Sequence, residues 1–292
     1  TGRIEPRDLV LVGAEIRLPW PPDSIGALRP PPWLTGFDAR IEDSRVEVGG
    51  AVLEGVTARL AAPGPLDAVR TEGRFTWRGA PIRFEAVLGR PGFDGVATLD
   101  LGFALQGATV TARGALVAEG GFEGRIEASG SDLALLMAAP AGPFRASGRV
   151  SVTGEVAAAD NLALDIGGVT GRGAVTFRFR PESRLDVALA LARIDLDAWV
   201  AALRGAAAPA LPIGLDLSAE AASFRGQTIR RLRGGIFREA ERITLTDITA
   251  QLPGEVEIEA TGATAGERLE LALRFNGPSL RASLAAFGVP ME

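Results

Sequence analysis

The chain has 292 residues, 47% hydrophobic and 23% charged, enough apolar material for a core and too much for the low-hydrophobicity disordered class. It contains no histidine, cysteine, tyrosine or lysine, so all 31 basic residues are arginine; a Ser-His-Asp triad, a thiolate nucleophile, a Schiff-base lysine and the usual zinc ligand sets are excluded. With a net charge of -5, a nucleic-acid partner is disfavoured as well, because phosphates call for a basic surface.

The first 36 residues read as an irregular lead-in with a first strand. Proline runs at Pro19 to Pro22 and Pro30 to Pro32 flank a possible helical turn from Ser24 to Leu28, and Trp33 follows. The chain starts at Thr1 without a signal-peptide pattern or eighteen uninterrupted apolar residues, so any anchor or export signal is expected outside it. From Phe37 to the end the sequence reads as one continuous repeating region (37–292), with no linker long enough to separate domains.

Strict alternation dominates that region. Phe75 and Trp77 alternate with Arg74, Thr76 and Arg78, and after a turn at Gly79, Ala80 and Pro81 come Ile82 and Phe84. The grammar returns at Val175, Phe177 and Phe179, then past Pro181 at Leu185, Val187, Leu189 and Leu191. It returns again at Val256 and Ile258 between Glu255, Glu257 and Glu259, then at Leu269, Leu271, Leu273 and Phe275. Such ribbons are hairpin strands with one apolar face. Fifteen to eighteen strands are expected, mostly antiparallel because the connections are short.

Three segments switch to a helical period, each directly after a strand. Asp132 caps Leu133, Leu136 and Met137 up to Pro140; Asp195 caps Leu196, Trp199, Val200 and Leu203 up to Gly205; Ser279 caps Leu280, Leu284 and Phe287 up to Gly288. The caps lie 63 and 84 residues apart. The repeating unit is therefore several strands and one capped helix, of uneven length.

The fold expected is mostly β with a few short α-helices. A helix of about nine residues is only about 14 Å long, so three of them cover a small part of the sheet. The strands must then cover one another as a sandwich or barrel, or form an elongated curled sheet, a taco-like β-groove. Uneven repeats favour the curled sheet, since a hairpin can be added without breaking closure. An uncovered apolar trough needs an occupant, and acyl chains fit it.

The segment Asn276, Gly277, Pro278, Ser279, Leu280 ahead of Phe287, Gly288, Val289 and Pro290 resembles the strand, helix and F-G-hydrophobic-P ending of AsmA-like domains. So does the earlier block of Leu162, Leu164 and Ile166, then Gly167, Gly168, Gly171 and Gly173, two strands, and Asp195, Leu196, Asp197. The likeness is to the AsmA family, within the group that includes TamB, and it covers about Phe37 to Pro290. It implies a periplasmic module of a Gram-negative envelope, tethered to the inner membrane in the full-length protein by a segment this chain lacks. Such a module binds or conducts phospholipid between inner and outer membrane. The TamB branch implies an alternative, an interaction scaffold that assists outer-membrane protein assembly by pairing with another envelope β-protein, without lipid transport.

The groove-lining candidates are Phe75, Trp77, Ile82, Phe84, Val175, Phe177, Phe179, Leu185, Val187, Leu189, Val256, Ile258, Leu269, Leu271, Leu273 and Phe275. Core packing is the competing account, and the shortage of helices favours lining. Arg225, Arg230, Arg231 and Arg233 are the candidate headgroup contact, because arginine pairs well with phosphate; a solvated edge is the bland alternative. Asp195 and Asp197 form a D-x-D that a helix cap explains better than a metal. Gly167 to Gly173 opens into a strand, which suits a hairpin rather than a phosphate cradle. Glu255, Glu257 and Glu259 read as solvated charges. No catalytic residue, metal or cofactor is expected.

Overall fold

A computed structural model of the chain describes residues 8–18, 36–48, 51–64, 67–77, 79–117, 121–179, 182–204, 211–265 and 268–288. The expected helical turn at Ser24 to Leu28, the proline runs and Trp33, the turn residue Pro181, Gly205, and Val289 with Pro290 lie outside those residues. The described part is mostly β, with eighteen strands and two short α-helices. It divides into two compact units, Thr1–Ser131 with Ser147–Glu155, and Asp132–Ala146 with Val156–Glu292.

In the first unit, β1 (Asp8–Val12) and β2 (Glu15–Leu18) lie end to end along the same neighbour, β3 (Phe37–Val48). Antiparallel ladders then run in sequence through β4 (Ala51–Ala62), β5 (Val69–Trp77), β6 (Ala80–Leu88), β7 (Ala97–Leu105), β8 (Ala108–Leu116) and β9 (Phe122–Gly130). The break between β1 and β2 has a defined anchor. Ser44, buried, accepts a hydrogen bond on its hydroxyl from the Ala14 amide at 3.0 Å and donates to the Glu42 carbonyl at 2.9 Å. A buried hydroxyl satisfied on both sides costs nothing in unmet hydrogen bonds. The lead-in therefore carries two strands, not one.

The second unit runs from β11 (Val156–Ile166) through β12 (Val169–Arg178), β13 (Arg184–Asp195), β14 (Ile213–Phe224), β15 (Gln227–Glu239), β16 (Arg242–Leu252), β17 (Val256–Ala265) and β18 (Arg268–Asn276), again with sequence neighbours side by side. The strand β10 (Phe144–Val152) has its first residues in this unit and the rest in the first. Most of the described pairings are antiparallel, as expected, and three are parallel: β13 with β14, and β1 and β2 with β3. α1 (Leu196–Leu203) follows β13 at the end of the sheet where β14 finishes.

The three capped segments occur where the periodicity placed them, with one difference: the first is a 3₁₀ turn, Leu133–Leu135, stopped well before Pro140. Asp132 accepts from the amides of Ala134 and Gly142, both at 3.0 Å. Asp195 accepts from the Ala198 amide at 3.2 Å, and α2 (Leu280–Ala286) ends at Gly288 with φ of 73°. All three segments sit at one end of the second unit's sheet. Gly167, at the β11–β12 turn, donates to the Pro143 carbonyl; Asp197 of α1 accepts from the Arg225 amide in the β14–β15 turn; Ser283 of α2 donates to the Pro253 carbonyl ahead of β17.

Alternation breaks at a set of β-bulges that the composition alone did not reveal. Asp43, Asn161, Arg231 and Asp247 have φ between 45° and 51°, and Gly55 has 57°. At each one the ladder slips by a residue. Apolar positions three apart, such as Ile229 and Leu232 or Leu245 and Ile248, then share a face. Two further corrections follow. Glu255 is a turn residue with φ of 62° and not on the strand face with Glu257 and Glu259; and Ala80 and Pro81 belong to β6, the turn being at Gly79.

Candidate functional site

The candidate site is the apolar face of each sheet, and register shows what it contains. In the second unit one row crosses eight adjacent strands: Ala159, Val175, Val187, Leu215, Ile236, Leu245, Gly262 and Leu271 are successive cross-strand partners. At about 4.8 Å per strand the row is about 34 Å long. None of its members is buried; seven are half-exposed and Leu271 is 45% exposed. A second row beside it holds Leu162, Gly173, Leu189 and Leu217, of which only Leu162 is buried. In the first unit, Ala86, Leu101, Ala112 and Ile126 make a corresponding row over β6 to β9, all half-exposed.

Full burial is concentrated elsewhere, near strand ends and along β3 and β4, where Val46, Val56 and Ala58 cluster. The largest cluster of the first unit gathers Ala62, Val69, Leu88, Ala97, Leu116 and Phe122 beside the β4–β5, β6–β7 and β8–β9 turns, together with Val150. In the second unit Ala222, Ile229 and Ala250 are sealed against Leu196 of α1 and Phe287, the residue after α2, with the Phe224 and Phe287 rings 6.3 Å apart. The helices thus roof one end of the sheet. Close backbone approach is also written into the apolar face. Gly114 and Gly124 are cross-strand partners, and a Cβ on either would lie 2.1–2.3 Å from a carbonyl oxygen of the neighbouring strand. The strands there leave no room for a side chain.

The lining candidates separate accordingly. Phe75 and Phe84 stand on the apolar face with rings 5.6 Å apart, as do Phe177 and Phe179 at 5.1 Å. Val175, Leu185, Val187, Leu189, Ile258 and Phe275 are half-exposed on the same faces. Trp77, Leu271 and Leu273 are exposed, Leu273 at 50%. Ile82 and Val256 are buried, so they act as packing residues; Val256 is 1% exposed. Leu269 pairs with Thr264 through β18, and its side chain is outside the described residues.

The arginines proposed for a headgroup do not converge. Arg225 lies in a left-handed turn with its guanidinium 5.4 Å from the Phe224 ring. Arg231 is held at its bulge by Gln251 at 3.2 Å and Glu257 at 3.7 Å. Arg230 pairs in register with Ala221, and Arg233 borders a shallow polar trough of about 710 Å³ on the opposite face, shared with Arg172, Asp160, Asp216 and Asp247. Asp195 and Asp197 are spent on the cap and on the Arg225 amide. Gly167 and Gly168, with φ of 60° and 82°, form a two-residue hairpin turn, and Gly168 donates to Asp165 at 2.9 Å. Among the described residues no group of acidic side chains is arranged to hold a metal, and no helix is long and apolar enough to cross a membrane.

Two open depressions rimmed by charged residues lie on the charged face of the first unit, one of about 360 Å³ between β3 and β6 and one of about 460 Å³ between β5 and β8. Asp38 binds Arg59 there through two of its oxygens, and that hydrogen bond holds the Asp38 carboxyl below the usual carboxylate range. Sequence reading passed over this face because alternating charges look like ordinary solvated positions; the signal would have been which arginines the register sets opposite each other. Compared with known proteins, the chain matches no family model, no curated protein and no solved structure.

Proposed function

We propose that the chain is a lipid-binding module of the AsmA kind, working in a bacterial envelope, in the periplasm, by holding acyl chains against the apolar faces of its sheets. The observation that carries this reading is the row from Ala159 to Leu271, apolar on eight strands in succession and nowhere buried. At about 34 Å it exceeds the thickness of a bilayer's hydrocarbon core, about 30 Å, so a phospholipid can lie along it with room to move. Each methylene covered contributes about 0.8 kcal/mol, and aliphatic walls grip a chain without fixing one pose, as conduction between membranes requires. The absence of histidine, cysteine and lysine supports a carrier over an enzyme.

A second reading has its own support. The first and last strands, β1 with Leu9, Val10 and Val12 and β18 with Leu271 and Leu273, present exposed apolar side chains, which suits strand addition by another β-protein in an assembly scaffold. Native mass spectrometry of the protein purified from bacterial membranes separates the two. Bound phospholipid, released by organic extraction in stoichiometric amount, is expected from the lipid module; a lipid-free protein that takes up none from vesicles contradicts it.

A further inference from the structure

We infer that the charged face of the first unit holds a phosphate-type oxyanion between Arg74 and Arg83. These two arginines are direct cross-strand partners on β5 and β6. Side chains so placed have Cβ atoms about 5 Å apart, so the two guanidinium groups spring from adjacent positions and reach the same ligand. Like charges directly opposite one another destabilise a sheet, and neither arginine has an ion pair or hydrogen bond among the described residues. Arg40 and Arg59 are likewise opposed on β3 and β4. All four line the depression of about 360 Å³.

The carboxylates in that depression are Glu42 and Glu72, so four guanidinium groups face two acids in a protein whose net charge is negative. Asp38 engages Arg59 from the rim and also attracts Arg40, which leaves Arg74 and Arg83 available. Glu72 stands between Arg59 on β4 and Glu85 on β6, and its attraction falls on Arg59, so among the described residues it forms no ion pair with Arg74 or Arg83. A dianionic phosphate accepts from two planar forks at once and removes the repulsion between them. Carboxylate ligands have fewer oxygens for the same span. The site is on the face opposite the apolar rows, so it binds its ligand independently of acyl chains, and its failure would leave the lipid reading standing.

The test is calorimetric titration of the full chain with inorganic phosphate at low ionic strength, with a thermal melt in matched phosphate-free buffer, on the wild type, Arg83→Gln and the remote exposed control Arg268→Gln. Saturable phosphate binding with a matching rise in Tm is expected for wild type and control. Arg83→Gln should weaken binding at least ten-fold and, because it relieves the opposed charges, melt no lower than wild type without phosphate. Vesicles of phosphatidylcholine with and without phosphatidic acid identify the source. Sedimentation with the phosphatidic acid vesicles, competed by inorganic phosphate, assigns the oxyanion to a lipid headgroup; phosphate binding without vesicle binding assigns it to a soluble phosphate compound. No binding of either, or equal binding by Arg83→Gln, overturns the inference.

Discussion

The sealed end and the open middle of the second unit use the same residue types and differ in what lies above them. Ala222, Ile229 and Ala250 are buried because Leu196 arrives on α1 and Phe287 directly after α2, helices anchored by Asp195, by Asp197 against the β14–β15 turn, and by Ser283. Leu215, Ile236 and Leu245, a few residues along the same strands, have no such cover and stay half-exposed. Hydrophobicity of a strand face therefore does not set its burial; the supply of covering elements does. The sealed positions provide stability; the open ones are those to which the proposed function assigns the acyl chains.

That division can be broken by mutation. The largest effect is expected at a sealed position of the first unit: Leu116→Ala, at 1% exposure, should cost about 3 kcal/mol in urea unfolding. Removing the roof comes next, with Phe287→Ala expected to lose about 2 kcal/mol and to speed amide exchange in β14 and β15, while exchange in β7 and β8 stays at the wild-type rate. Asp195→Ala deletes the α1 cap and should cost about 1 kcal/mol. In the open row Val187→Thr should change stability by less than about 0.5 kcal/mol; a loss of well over 1 kcal/mol would mean that the row is core after all. The smallest effect belongs to Asp38. Its carboxyl titrates lower in the folded chain because of Arg59, so its contribution is present above the ordinary aspartate pKa and is lost as pH falls through the depressed folded value. Asp38→Asn should accordingly flatten only the acid limb of a stability-against-pH curve, and only slightly, since the pair is solvent-exposed.

Much of this architecture was legible in the alternation of apolar and polar residues. The hairpins from Phe75 to Phe84, Val175 to Leu191 and Val256 to Phe275 follow the period of two, and Asp132, Asp195 and Gly288 mark the helical segments through ordinary cap chemistry. The bulges at Asp43, Asn161, Arg231 and Asp247 were not legible, since a left-handed residue within a strand is decided by the register of both neighbours. The parallel pairing of β14 with β13 was hidden for a related reason: the cap at Asp195 marks a helix after a strand, and only register shows how the next strand pairs. For the candidate site, sequence gave the apolar faces but not the division of Ile82 and Val256 from Val175 and Leu271, because burial depends on which strand ends the helices and turns cover. Which arginines the fold sets side by side was hidden for the same reason. Arg225, Arg230, Arg231 and Arg233 are close in sequence and separated by a turn and a bulge, whereas Arg74 and Arg83 meet across a hairpin.

The most direct test is site-specific photo-crosslinking in living bacteria, with a photoreactive amino acid placed at Val187 or Leu215 in the open row, at Ala190 on the opposite face of β13, and at Leu116 in the sealed end. The account predicts adducts of phospholipid mass at Val187 and Leu215 and none at Ala190 or Leu116. Adducts absent from all four positions, or equally abundant on both faces of β13, would contradict it.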